Sequence, residues 1–128
     1  MHGIGTDMVE IARIASLYER FGDRFAKRIL SEEEYALFAR QHYSTSFLAK
    51  RFAAKEAVAK ALGTGIGAKV AFTEISITNE ANGKPIVTLL NSAHDLLNHF
   101  NIQDILISLS DEKAYALAFA IAVKKSSV

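Results

Sequence analysis

Ser44-Thr45-Ser46-Phe47-Leu48-Ala49-Lys50-Arg51-Phe52-Ala53-Ala54-Lys55-Glu56-Ala57-Val58-Ala59-Lys60-Ala61-Leu62-Gly63 is the stretch on which the fold turns. It predicts the longest helix of the chain. Ser44 or Thr45 caps the start, because a hydroxyl there accepts from the orphan amides of the first turn. Gly63 is a natural stop. At about 100° per residue, Phe47, Leu48, Phe52, Val58 and Leu62 share one broad side. Ala49, Ala53, Ala54, Ala57 and Ala61 cover most of the other. Lys50, Arg51, Lys55, Glu56 and Lys60 are scattered around the wheel instead of gathering on a wet face. A helix that is apolar nearly all round is a buried helix. Buried charges need partners, so a ligand or a metal is expected for some of these.

Towards the N-terminus, His2 to Thr6 predicts a strand, with Gly5 allowing a close approach. Met8 to Phe21 predicts a helix with Ile11, Ile14, Tyr18 and Phe21 on its core face. Gly22 interrupts it, and a short helical turn follows through Ile29. Ser31 and Glu34 form a capping box that opens a short helix carrying Tyr35 and Phe38.

Towards the C-terminus the period changes to two. Val70 to Thr78 alternates, Asn82-Gly83-Lys84-Pro85 signals a turn, and Ile86 to Leu90 returns. Ser92 to Phe100 predicts a helix. Asp104 to Ser110 and Tyr115 to Val123 predict two strands joined by a tight polar turn, Asp111-Glu112-Lys113. Tyr115, Leu117, Phe119, Ile121 and Val123 point one way; Ala116, Ala118, Ala120 and Ala122 point the other. A smooth alanine face admits close packing by a helix or by another subunit. Helices first and a hairpin-rich antiparallel sheet after them make the class α+β, with helices packed on the sheet.

The bulk properties narrow the function. A chain of 128 residues, half of them hydrophobic, predicts a single domain over residues 1–128 with a real core. The net charge of +1 gives no global pull towards nucleic acid or membrane. Cysteine is absent, which rules out disulfides and thiolate metal sites and suits a cytoplasmic protein. No signal-peptide pattern opens the chain, and no apolar run approaches the roughly 20 residues of a membrane helix. His2, His42, His94 and His99 show no zinc spacing and no catalytic context.

The chemistry concentrates in two stretches. Gly3-Ile4-Gly5-Thr6-Asp7-Met8-Val9-Glu10 and Arg51 to Gly67 each place one carboxylate beside glycine-rich backbone. An octahedral Mg²⁺ site uses one or two carboxylates, waters and substrate phosphate oxygens. Asp7 and Glu56 supply that set if the first strand packs on the long helix. The competing reading has Asp7 capping the first helix and Glu56 paired with Lys60 one turn on. Arg51, Lys55 and Lys60 are candidates to neutralise phosphates. The loop Gly63-Thr64-Gly65-Ile66-Gly67 permits the positive φ angles that turn amide N–H groups towards an anion. It follows a helix C-terminus, where the dipole disfavours phosphate, so Lys60 or Lys55 must offset it. The alternative is a plain C-cap and turn.

Arg13, Leu17, Arg20 and Arg24 recur at spacings of four, three and four, a stripe beside the core face of the first helix. Three cations around one apolar side chain suit an acidic protein partner. A non-catalytic module that holds an acidic partner is the competing function class. A nucleic-acid binder fits poorly, since the pI is near 8 and basic and aromatic residues do not interleave.

Taken together, Gly3-Ile4-Gly5-Thr6-Asp7, Arg28-Ile29-Leu30-Ser31-Glu32-Glu33-Glu34, Arg51-Phe52-Ala53-Ala54-Lys55-Glu56-Ala57, the glycine loop and Asn82-Gly83-Lys84-Pro85 closely resemble the holo-acyl-carrier-protein synthases. These are the small bacterial 4′-phosphopantetheinyl transferases. The resemblance runs from Gly3 to about Val123. It implies the 4′-phosphopantetheinyl transferase fold. It implies transfer of the 4′-phosphopantetheine arm of coenzyme A to a serine of apo-acyl carrier protein, with release of adenosine 3′,5′-bisphosphate, in fatty acid biosynthesis. It also implies Mg²⁺ held by Asp7 and Glu56, with Lys60 as the conserved lysine of the long helix. Coenzyme A is expected at Arg51, Lys60, Gly63, Gly65, Gly67, Asn82, Gly83, Lys84 and Pro85. The resemblance implies a homotrimer with active sites at its subunit interfaces, and the carrier protein is expected to dock on Arg13, Leu17, Arg20 and Arg24. The serine proton goes to Glu56, directly or through a water, or to a water alone. Many relatives have histidine where this chain has Asp111, so Asp111 stays outside the expected site.

Overall fold

The chain begins with a strand that runs straight into a helix. β1 (Gly3–Glu10) is followed by α1 (Ile11–Phe21), α2 (Asp23–Ile29), α3 (Glu32–Arg40) and α4 (Thr45–Leu62). β2 (Ile75–Asn79), β3 (Pro85–Leu89), α5 (Asp95–His99), β4 (Ile102–Asp111) and β5 (Tyr115–Lys124) complete the order. Single 3-10 turns span Phe72–Glu74 and Asn91–His94. The computed structural model describes residues 1–126; the last two residues of the expected 1–128 unit lie outside the described residues.

One sheet has the order β1-β5-β4 and the other pairs β2 with β3, all antiparallel. The helices lie against these sheets, as the α+β expectation requires. The buried apolar residues form one cluster drawn from α4, β5, β2 and the helices around them.

α4 occupies the centre, and its caps are those read from the sequence. Ser44 Oγ accepts from the amide of Phe47 at 3.2 Å, and Gly63 closes the helix in the left-handed region at φ 84°. On the sheet side, β1 approaches α4 so closely that side chains are excluded. A Cβ on Gly5 would overlap the Ala57 carbonyl, and one on Gly3 would overlap that of Ala61. This is why the strand reads Gly-Ile-Gly. Beside it, Ala116, Ala118, Ala120 and Ala122 are buried. They pair in register with Val9, Asp7, Gly5 and Gly3 of β1 on the α4 side of the sheet. The alanine face is therefore covered by the chain's own helix.

The opposite face of the sheet is open. Ile4, Met8, Leu106, Tyr115, Leu117 and Phe119 are all exposed there. For any second subunit, this face and not the alanine face is the available surface.

Three further expectations need correction. Met8 to Glu10 belong to β1, not to the first helix, because they pair with Leu117 to Tyr115 of β5. Asp7 is accordingly a strand residue and not a helix cap. Phe21 is 43% exposed and not part of the core face. α1 ends there, the chain turns at Gly22 (φ 60°), and the Arg20 guanidinium sits 5.0 Å over the ring. β2 begins only at Ile75, because Phe72–Glu74 wind into a 3-10 turn tied by Ala71 N–H to Glu74 Oε1 at 3.0 Å.

Candidate active site

The close approach of β1 to α4 carries Asp7 to the flank of the helix that bears Glu56 and Lys60. Lys60 Nζ donates to Asp7 Oδ1 at 3.2 Å and to the Thr6 carbonyl at 2.9 Å. Its hydrogen bonds go across to the strand, not one turn back to Glu56. The Asp7 side chain is 18% exposed and that of Lys60 is 51% exposed, so the pair is open to solvent and ligand. Glu56 is half-buried beside them. Burial first, and then the Asp7 charge, push its carboxyl above the usual carboxylate range; the Lys60 and Arg13 charges pull the other way. Asp7 and Glu56 thus share one electrostatic environment, as the metal reading requires and the helix-cap reading does not.

A cavity of about 550 Å³ opens over Asp7 and Lys60. Thr6, Asp7, Met8 and Lys60 line one wall, and Ser108, Ser110, Leu117 and Phe119 line the other. That second wall belongs to the exposed face of the sheet. Two carboxylates, hydroxyls and water access make a hard-oxygen donor set, which fits Mg²⁺ with most of its sphere left for water and phosphate. Among the described residues no group of three or more acidic or imidazole side chains offers a closed metal cage.

The other charges of α4 face a different way. Lys55 is fully buried and donates to the carbonyls of Ile29 (2.6 Å) and Phe72 (2.9 Å) and to Glu34 Oε1. Burial pulls its ammonium down to about 8. Glu34, also fully buried, accepts in addition from the amides of Ser31 and Ile77, each at 2.9 Å. Lys55 therefore has no reach to a phosphate; it pins α2, α3 and the 3-10 turn at Phe72–Glu74 to α4. The sequence offered it as a phosphate partner, and the fold gives it protein partners instead.

Arg51 stands between the two roles. Its guanidinium stacks on Phe47 at 4.4 Å and donates to Asn79 Oδ1 at 3.3 Å. It lines a second cavity of about 400 Å³ with Lys50, Gln41, Asn79, Gly83 and Pro85. Arg51, Gly83 and Pro85, all expected at coenzyme A, are thus brought together. Asn82 Oδ1 accepts from the Lys84 amide at 3.0 Å and shapes the turn, while Lys84 borders a separate groove beside Asp104. Arg51 and Lys60 are nine residues apart, so within one chain about 14 Å of helix separates the two cavities.

The glycine loop is not an anion nest. The amides of Gly63, Thr64 and Gly65 all donate to the Ala59 carbonyl, and that of Gly67 donates to the Val70 carbonyl. Gly63, Gly65 and Gly67 therefore line neither cavity with free donors. Arg13 and Arg20 are exposed on α1 with Leu17 half-buried between them; Arg24 is exposed on α2, past the break at Gly22.

Sequence reasoning passed over Ser108, Ser110 and Asn79. Their only signal was position, at strand ends whose register the residues alone do not define. Asp111 accepts from Ser46 Oγ at 3.1 Å and from Lys50 at 3.5 Å, tying the end of β4 to the start of α4.

Known proteins share this fold. The family model of the 4′-phosphopantetheinyl transferase superfamily matches residues 3–120. The holo-acyl-carrier-protein synthase of Shewanella frigidimarina is 52% identical over 119 residues, 93% of this chain and 94% of that protein. The crystal structure of the synthase from Neisseria meningitidis superposes with a TM-score of 0.92 at 44% identity, covering 97% of this chain and 99% of that one. The Helicobacter pylori synthase, solved in complex with coenzyme A, gives 0.83 at 36% identity over 93% and 98%. Fold and length agree, and the chain belongs to the 4′-phosphopantetheinyl transferase superfamily, among the holo-acyl-carrier-protein synthases.

Proposed function

We propose that this enzyme transfers the 4′-phosphopantetheine arm of coenzyme A to a serine hydroxyl of apo-acyl carrier protein. The observation that carries the reading is the Asp7–Lys60 ion pair lining one cavity, with the Glu56 carboxyl close enough to feel both charges, in a chain of this family. The serine oxygen forms a bond to the phosphorus that bears pantetheine. The bond from that phosphorus to the bridging oxygen breaks, and adenosine 3′,5′-bisphosphate leaves with the electron pair. In such transfers the protein mainly positions the groups and neutralises charge.

Asp7 and Glu56 are the residues to hold Mg²⁺ together with the pyrophosphate of coenzyme A. The ion, when bound, supplies charge stabilisation to the phosphoryl oxygens and the leaving group. Lys60 adds a second positive charge on the same flank. The serine proton goes to Glu56, directly or through a water, or to a water alone. Lys50 and Arg51 are placed for the phosphates at the far end of coenzyme A, with the Asn82–Pro85 turn opposite them. The glycine loop contributes room and helix termination, since its amides are occupied.

The assembly is a homotrimer in this reading. The support is the exposed apolar face of Ile4, Met8, Leu106, Leu117 and Phe119, which also walls the catalytic cavity. A second copy seated there would close that cavity. The carrier docks on Arg13, Leu17 and Arg20, with Arg24 at the margin. Arg13 already acts on Glu56 through its charge, so the docking surface adjoins the chemistry. Among the described residues no helix is long and apolar enough to cross a membrane. The reaction belongs in the cytoplasm, with the coenzyme A pool.

The test is direct. Protein, coenzyme A, Mg²⁺ and apo-acyl carrier protein are incubated, and the carrier is weighed. A gain of one phosphopantetheine is expected; an unmodified carrier with a competent control enzyme in parallel overturns the reading. The same mixture without Mg²⁺ is expected to stay unmodified.

A further inference from the structure

Asn79 closes the β2 strand with an exposed side chain whose amide bonds at both ends. Its Oδ1 accepts from Arg51 on α4, and its Nδ2 donates to the Gly83 carbonyl in the turn at 2.9 Å. The turn itself is held by Glu80 N–H to the Lys84 carbonyl and Gly83 N–H to the Glu80 carbonyl, both at 2.8 Å. Those bonds join the two strands of the hairpin to each other. They do not fix the hairpin tip relative to α4.

Arg51 is itself anchored on the side away from the turn. Its ring partner is Phe47, and its Nε lies 3.6 Å from Glu34 Oε2, a charge contact too long for a hydrogen bond. The Nε has no hydrogen-bond partner among the described residues. The guanidinium therefore depends on Asn79 for a directed bond at its outer end. A continuous chain results: buried Glu34, Arg51, Asn79, Gly83. Its last three members, Arg51, Asn79 and Gly83, line the basic cavity beside Lys50 and Pro85.

We infer that Asn79 is a positioning residue for coenzyme A: it fixes the cationic tip of Arg51 and the Gly83–Pro85 backbone at one spacing, and so presets the width of the basic cavity. The inference rests on the coenzyme A reading given above. A pre-set cavity costs less ordering on binding, so loss of the strap weakens binding of the ligand without touching the reacting atoms. Only an amide serves both ends. An aspartate keeps the acceptor for Arg51 but turns a second carboxylate oxygen on the Gly83 carbonyl, where a donor is needed.

The test is steady-state kinetics of Asn79→Ala and Asn79→Asp with coenzyme A and apo-acyl carrier protein varied separately. Both variants are expected to raise KM for coenzyme A about five- to tenfold, the scale of a lost polar bond or two. The kcat and the KM for the carrier are expected to stay within about twofold of the parent. Thermal unfolding of Asn79→Ala is expected to fall modestly, because the buried Arg51 loses its directed bond. The inference is overturned if Asn79→Asp binds coenzyme A like the parent. It is equally overturned if the variants lower kcat with KM unchanged, or raise both KM values alike. A parent enzyme that fails to load the carrier counts against the proposed function and not against this strap.

Discussion

Two clusters are built around lysines of the same helix, barely more than a turn apart, and they have opposite characters. Lys55 meets Glu34 where both are fully buried, and backbone carbonyls and amides complete their hydrogen bonds. Lys60 meets Asp7, with Glu56 within reach of both charges, where the lysine is half exposed and a cavity opens above the pair. The first cluster is saturated by the protein. The second has oxygens left over and room in front of them. Residue type is alike in both; what separates structure from chemistry is whether the fold completes the coordination.

The largest effect follows from breaking the closed cluster. Glu34→Ala leaves Lys55 buried with no counter-charge and should cost about 3–5 kcal/mol of stability. Urea unfolding measures it. A loss below about 1 kcal/mol would mean the cluster is more hydrated than its burial indicates.

Breaking the open cluster should do the reverse. Asp7→Ala or Glu56→Ala should lower turnover by about a thousandfold or more, as expected for losing an electrostatic element of catalysis, while the fold survives. Transfer assays paired with thermal unfolding separate the two outcomes. Near-parent turnover in both variants would remove these residues from the site.

How far the sequence reached follows the same division. Caps and turns are local, so Ser44, Gly63, Gly22 and the Ser31–Glu34 box were legible from the residue order alone. The start of α1 was not, because Met8 to Glu10 suit a helix until β5 pairs with them. The pairing of Asp7 with Glu56 rested on family resemblance; the physical cause is the Gly3 and Gly5 contact with α4, which depends on tertiary packing. The fates of Lys55 and of the glycine-loop amides were hidden for the same reason. Each is decided by carbonyls that come from elsewhere in the chain or from the helix end itself.

The raised Glu56 carboxyl gives a smaller and more graded effect. Activity is lost as pH falls through that raised value, because the protonated group neither binds a cation nor takes a proton. The acid limb of kcat/KM should therefore lie above the ordinary carboxylate range. More Mg²⁺ should shift it to lower pH, since the ion competes with the proton for the carboxylate. A limb that ignores Mg²⁺ would assign the titration to another group.

The smallest effect concerns the carrier surface. Arg13→Glu or Arg20→Glu should raise KM for the carrier several-fold, with the difference fading as salt rises and the Debye length falls to about 8 Å at 0.15 M. KM for coenzyme A should barely change. Equal changes in both would make α1 a support for the active site and not a docking surface.

The central claim is that Asp7 and Glu56, and not the buried Lys55–Glu34 pair, link Mg²⁺ to coenzyme A. Calorimetric titration of coenzyme A with and without Mg²⁺ tests it most directly. The parent should bind more tightly with Mg²⁺, and Asp7→Ala and Glu56→Ala should bind with one affinity whether or not the ion is present. Parent-like Mg²⁺ dependence in both variants would contradict the account.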